Sequence, residues 1–192
     1  MHTTEPIRSK TKLRELSAFY LKRGELRNHL LIVLGIYTAL RIGDLLRLSR
    51  EDVYDYSEGT FRTHLHVIER KTGKSRLIAL NKKAISALNL YFNSVSGESA
   101  DPLFPNNRKN KAALGRVQAW RIIKKAAQAA SVSGCIGCHS LRKTLGYHAW
   151  KSGVAAVLIM DIFNHVSFDV TRRYLGISQD DRDSVYLGLS LT

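Results

Sequence analysis

Apolar residues recur at helical spacing along most of this chain and switch to alternation in one short stretch. Leu13, Leu16, Phe19 and Tyr20 share a helix face, and Gly24 interrupts the pattern. Leu26, Leu30, Val33, Leu34 and Tyr37 mark a second helix from about Glu25 to Thr38, and a third, short helix is expected from Ile42 to Leu48. The period then drops to two. Leu65 and Val67 alternate with His64 and His66, so His64–Glu69 and Ser75–Leu80 read as paired strands around Lys71-Thr72-Gly73-Lys74. A short strand at Asp52–Tyr54 and a turn over Tyr56–Thr60 are expected just before them. Helical spacing resumes after Asn81, a plausible N-cap, with Ala84, Leu88, Tyr91, Phe92 and Val95. A loop from Gly97 to Asn110 carries Pro102 and Pro105. A helix follows from Ala112 to Ala130, stopping near Gly134. Three or four short helices fill the chain from Ser140 onward, broken at Gly153, Ser167–Asp169 and Gly176–Ser178. The pattern implies a mainly α fold with a small antiparallel β-sheet, as one domain over residues 1–192.

Charge narrows the partners. Thirty Lys and Arg stand against sixteen Asp and Glu, a formal net charge of +14. A folded domain this basic meets a polyanion, and nucleic acid leads because each neutralised phosphate releases counterions. The first residues are polar and basic without an apolar run, and no stretch reads as a membrane span. Two cysteines, Cys135 and Cys138, fit a reducing, intracellular setting.

Six residues fall in recognisable contexts. Arg41 lies in Thr-Ala-Leu-Arg-Ile-Gly-Asp and Lys71 in the hairpin. His139 and Arg142 share His-Ser-Leu-Arg-Lys-Thr, and His165 precedes Tyr174 in His-Val-Ser-Phe-Asp-Val-Thr-Arg-Arg-Tyr. Taken singly, each has an ordinary explanation: a surface arginine, a solvated turn lysine, a helix cap, a packed tyrosine. Cys135-Ile-Gly-Cys-His139 also matches a haem-attachment signature and half of a zinc site. Haem attachment needs export, and zinc needs two more ligands, so neither reading is adopted.

Taken in order, the six residues in their four contexts resemble the tyrosine recombinases, the phage integrase family, over Leu30 to Ile177. The resemblance implies the fold of that family's catalytic domain and a site-specific recombinase or integrase of double-stranded DNA. Strands are cut and rejoined through a 3′-phosphotyrosyl link, with no cofactor, metal or ATP. It assigns Tyr174 as nucleophile. A phenol titrates at about 10, and neighbouring arginines favour its anion. Arg41 and Arg142 are assigned to the pentacovalent phosphorane, where planar guanidinium forks match the nonbridging oxygens. Lys71, rather than Lys74, is assigned as general acid for the leaving 5′-oxygen. His139 is assigned as general base or phosphate hydrogen-bond donor, and His165 as a further donor. Asp44 is expected to orient Arg41. Lys74, Arg116, Arg121, Lys124 and Lys143 are the cations expected at DNA.

The family also acts as a tetramer on paired DNA sites and exchanges C-terminal segments. Gln179–Thr192, with Val185, Leu187, Leu189 and Leu191, is either such a segment or packs on its own chain. An isolated copy is expected to be monomeric. The helical N-terminal domain usual in the family is expected to be absent, and a bacterial or phage cytoplasmic setting is implied. Two other classes stay open: a type IB topoisomerase, which shares the chemistry, and a non-catalytic DNA-binding module.

Overall fold

The computed structural model describes residues 4–106, 112–177 and 179–189. Its elements run α1 (Lys10–Leu21), α2 (Leu26–Tyr37), α3 (Ile42–Leu45), β1 (Tyr54–Asp55), β2 (Thr60–Phe61), β3 (His64–Ile68), β4 (Ser75–Ala79) and α4 (Lys82–Ser94). The second half holds α5 (Arg116–Ala129), α6 (Cys138–Lys151), α7 (Ala156–Ile162), α8 (Phe168–Leu175) and α9 (Gln179–Gly188). The mainly helical fold with small antiparallel sheets is the one the patterning implied. Residues 107–110 of the expected loop, Ser178 of the expected break at Gly176–Ser178, and Ser190, Leu191 and Thr192 of the C-terminal segment lie outside the described residues.

Helix α2 is the axis. From Leu30 onward its sequence is apolar on every side, and a helix of that kind must be enclosed. Residues Asn28 to Ile36 are buried without interruption. One core, built on Leu30, Leu34, Leu45, Leu65, Leu88 and Phe104, joins α2 to α3, the hairpin and α4. A second, with Leu16, Tyr20, Ile32, Ile123 and Leu141, joins it to α1, α5 and α6. A third and smaller cluster gathers Ala39, Ile159, Phe163 and Leu175 under α6, α7 and α8. Glycines permit the close approaches. A Cβ on Gly35 would lie 2.6 Å from Leu141 Cδ1, and one on Gly146 would lie 2.5 Å from Phe163 Cζ.

The strands form two separate antiparallel pairs, β1–β2 and β3–β4. In the second, Leu65 faces Ile78 and Val67 faces Arg76. Leu65 and Val67 are buried while His64 and His66 are exposed, as the alternation requires. Asn81 caps α4, its side-chain oxygen accepting the Ala84 N–H at 2.9 Å. The N-terminal segment is stitched along α6: the Ile7 N–H donates to Thr144 Oγ1, and His148 Nε2 meets the Ile7 carbonyl.

Several boundaries differ from the sequence reading, for local reasons. β1 starts at Tyr54 rather than Asp52, because the Asp52 carboxylate accepts from Ser49. α3 ends at Leu45, since Ser49 pairs with Pro102. α5 starts at Arg116 because Ala113 pairs with Pro105, and it ends well before Gly134, with left-handed Ser131 just beyond its C-cap. α6 begins at Cys138, not Ser140, with Ser140 Oγ accepting the Gly137 N–H; His139 therefore lies in its first turn. Gly146→Val is expected to lower the unfolding free energy by about 1–3 kcal/mol by forcing Phe163 out of place. Urea denaturation reads this directly; an unchanged midpoint would mean that Phe163 is not packed as described.

Candidate active site

Arg142 is the deepest part of the site. It is 1% exposed, on the inner face of α6. One Nη donates to the Ala39 carbonyl and the other to the Phe163 carbonyl, and the guanidinium lies 4.7 Å from the Phe163 ring centre. Its Nε is buried with no hydrogen-bond partner among the described residues. Burial, then the nearby cations Arg41 and Arg76, pull its pKa down to about 10, so it stays cationic at neutral pH. Ala39 adopts a left-handed backbone (φ 50°), an unusual state for an alanine that the surrounding structure must hold in place.

Arg41 caps the start of α3 and donates to Glu69 Oε2, with 21% of its side chain exposed. His139, in the first turn of α6, is exposed. Partial burial and the cations Arg142, Lys143, Arg41 and Lys71 hold its pKa below the ordinary imidazole value. His165 lies between α7 and α8, with Nδ1 3.0 Å from Thr171 Oγ1. Burial, then Arg142 and Arg41, push its pKa down to about 4, so the ring is neutral at pH 7. Tyr174, on α8, is half-buried among rings: His165 at 4.6 Å between centres, Phe163 at 5.5 Å and His139 at 6.5 Å. The first turn of α6 and the segment between α7 and α8 thus meet α8 around one phenol.

Lys71 is exposed in the loop joining β3 to β4. That loop turns through left-handed Gly73 (φ 67°), whose N–H donates to the Glu69 carbonyl. Lys71 makes no direct contact with Tyr174, though its charge is felt at His139. Lys74 donates to Asn164 Oδ1 at 3.0 Å, beside the site.

Two expected roles are corrected. Asp44 is not the partner of Arg41: its Oδ1 accepts from the Arg70 N–H and from Arg47 Nη2, so it fastens the hairpin to α3. Lys143 is not presented to DNA. It is 4% exposed, its ammonium donates to the Thr4 carbonyl at 2.6 Å, and it lies 5.1 Å from the Tyr174 ring centre. The other cations expected at DNA are placed on α5. Arg116 and Arg121 are exposed and Lys124 is half-buried. The Arg116 guanidinium lies over Gly43, where a Cβ would come within 2.7 Å of Nη2.

Glu69, Arg76 and Asn164 escaped the sequence reading. Glu69 is fully buried. Besides Arg41 it accepts from Arg76 Nη1 at 3.2 Å, Thr72 Oγ1 at 2.9 Å and Asn164 Nδ2 at 3.1 Å. Burial alone pushes its carboxyl up, and those donors more than reverse this, holding it at about 2. A signal was present: Leu65, Val67 and Glu69 continue one inward phase, and a carboxylate there demands partners. Cys135 and Cys138 are free thiols, and no three His, Cys, Asp or Glu side chains among the described residues form a metal-binding group.

The perturbed groups make stability acid-sensitive with a defined sign. Unfolded His165 takes up its proton near 6.5, whereas the folded side chain resists until about 4. The unfolded state therefore binds more protons over that window, and stability falls as pH drops through it. His29 and His139 shift in the same direction and add to the slope. Glu69, depressed from 4.5 to about 2, extends the loss to lower pH. Urea midpoints at pH 7 and pH 5 are expected to differ, with a smaller difference in His165→Gln. Equal wild-type midpoints would contradict the burial of these groups.

Comparison with known proteins agrees with this arrangement. The phage integrase family matches residues 9–180. The probable integrase/recombinase YoeC of Bacillus subtilis (strain 168) is 34% identical over 186 residues, covering 97% of each chain. The tyrosine recombinase XerA of Pyrococcus furiosus is 25% identical over 158 residues, covering 82% of this chain and 53% of XerA. This chain thus spans nearly all of YoeC but about half of XerA. A crystal structure of XerA recombinase superposes with a TM-score of 0.76 at 21% identity, covering 97% of this chain and 66% of that one. The XerH site-specific recombinase bound to difH substrate, a pre-cleavage complex, gives 0.70 at 19% identity, covering 96% and 55%. No helix among the described residues is long and apolar enough to cross a membrane. The family match over most of the chain and the shared fold lead to one conclusion: this chain belongs to the phage integrase family, the tyrosine recombinases.

Proposed function

We propose that this chain is a site-specific DNA recombinase that cuts and rejoins strands through Tyr174. The observation carrying the reading is that the His139 and His165 rings and the Arg142 charge meet at that one phenol, with Arg41 close enough to act on all three. In this reading the Tyr174 oxygen attacks the scissile phosphorus, its proton passing to His139 as base. The bond to the 5′-oxygen breaks, and Lys71, carried on its exposed loop, supplies the proton that oxygen needs. The bond energy is kept in a 3′-phosphotyrosyl link, so a second 5′-hydroxyl can reverse the step without ATP.

Negative charge grows on the phosphoryl oxygens during attack, and donors fixed in advance stabilise it without reorganising. Arg142 fits this role because backbone carbonyls hold its two Nη groups while Nε has no partner among the described residues. Neutral His165 donates from Nε2 when the Thr171 hydroxyl donates to Nδ1.

Double-stranded DNA is the substrate in this reading, supported by the charge of +14 and by XerH having been captured on difH substrate. The exposed Arg116 and Arg121 on α5, with Lys124 and Lys74, are the cations offered to it. α9 carries exposed Val185, Tyr186 and Leu187, which suits a C-terminal segment exchanged between four copies on paired sites. A lone copy is then a monomer, and the cytoplasm is its setting.

Nicked duplexes of randomised sequence, which trap the covalent intermediate by releasing the cut end, are the test. Wild type is expected to yield a protein–DNA adduct that maps to Tyr174, and Tyr174→Phe to bind DNA without forming one. Arg142→Lys is expected to slow adduct formation about a hundredfold or more. Recovery of an adduct on another residue, or of none from wild type, would refute the proposal.

A further inference from the structure

The contact that holds Arg41 is a carboxylate sealed from solvent, and it reaches three parts of the site at once. Glu69 Oε2 takes Arg41 from the start of α3, Thr72 from the hairpin loop and Asn164 from the turn before His165. Oε1 takes Arg76 from β4. Asn164 is itself left-handed (φ 52°), and its side-chain oxygen accepts Lys74. No other carboxylate among the described residues ion-pairs with Arg41. We propose that Glu69 is a positioning residue for strand cleavage. Its buried carboxylate anchors one edge of Arg41, aims the remaining donors at the scissile phosphate and fixes the base of the loop that carries Lys71.

This assignment rests on the recombinase reading of the site. Two arguments take it beyond a structural ion pair. The first is geometric. Arg41 is a long side chain with one-fifth of its surface open, and without an anchor it samples many rotamers. A guanidinium already fixed loses little freedom when phosphate arrives. The second is electrostatic. Arg41, Arg76 and Arg142 lie close enough for each of the first two to depress the third, and Glu69 is the negative charge among them. Three positive charges and one negative leave a net of two. A phosphodiester carries one negative charge and gains a second as the phenolate adds. Glu69 therefore lowers the charge that the three guanidiniums offer to bound DNA, while the donors it aims meet the charge that grows during attack, which raises rate instead of affinity.

Glu69→Gln keeps the shape and one acceptor oxygen while removing the charge. On a nicked duplex that wild type traps, its single-turnover rate is expected to fall about tenfold to a hundredfold. DNA affinity is expected to be unchanged or tighter. A merely structural role predicts the reverse split, with affinity and thermal midpoint falling together. In an Arg41→Lys background, Glu69→Gln is expected to cost no more than about a further twofold, because both changes act on one interaction. A folded Glu69→Gln with the wild-type rate, or with its full penalty in the Arg41→Lys background, overturns the proposal. Should Glu69→Gln not fold, Glu69→Asp, which keeps the charge but withdraws the anchor by one methylene, carries the same test, and a wild-type rate overturns the assignment. Absence of an adduct from wild type would instead remove the recombinase reading, and this proposal with it.

Discussion

Arg142 is a positive charge enclosed in protein, and the arrangement of the site follows from how that charge is accommodated. Withdrawing a guanidinium from water costs several kcal/mol, even after the protein relaxes. The fold offsets this with two carbonyls, one from the strained turn at Ala39 and one from Phe163, and with the face of the Phe163 ring. Those carbonyls come from opposite sides of the site: the turn between α2 and α3, and the residue that follows α7. A single side chain on α6 therefore sets the spacing between the turn that presents Arg41 and the segment that presents His165 and Tyr174. The Phe163 ring lies 5.5 Å from Tyr174, so the group that shields the cation also seats the phenol.

Around this centre the charges are graded by depth. Arg142 and Glu69 are enclosed, Arg41 is partly open, and Lys71 is in water. The enclosed pair shapes the field, and the open members are free to meet a substrate. His165, depressed to about 4 by burial and by neighbouring guanidiniums, is neutral at pH 7 and can donate to an anion without adding positive charge, while His139, shifted in the same direction, is favoured in the form that accepts a proton. A site already crowded with arginines and lysines gains little from another cation. It gains more from donors whose protons are shared rather than ionic.

The fold class was legible because its elements advertise themselves locally. An α2 that is apolar on every side from Leu30 onward has to be central, and the alternation across Leu65 and Val67 has to be a strand with one buried face. The segments carrying Arg41, His139, Arg142, His165 and Tyr174 were legible because each lies in a short recognisable context, and the structure brings these side chains together. What the sequence obscured depends on contacts between distant segments. Asp44 lies close to Arg41 in sequence, yet its carboxylate faces the Arg70 N–H, and Glu69 reaches Arg41 from across the hairpin. Lys143 follows Arg142 and reads as one more basic residue, but α6 is covered on that side by the N-terminal segment, which captures it. Helix ends moved for a related reason: Ser131 and the Ala113–Pro105 pairing stop α5 through backbone geometry that residue type barely encodes.

The stitching of the first described residues along α6 has a practical side. Thr4 shares Lys143 with the Tyr174 ring, and Pro6 and Arg8 lie against Gly176, where α8 ends. Residues 4–8 are thus part of the wall behind the Tyr174 ring. A fluorophore attached within that segment sits beside α8, where it behaves as a reporter of that helix rather than as a neutral label.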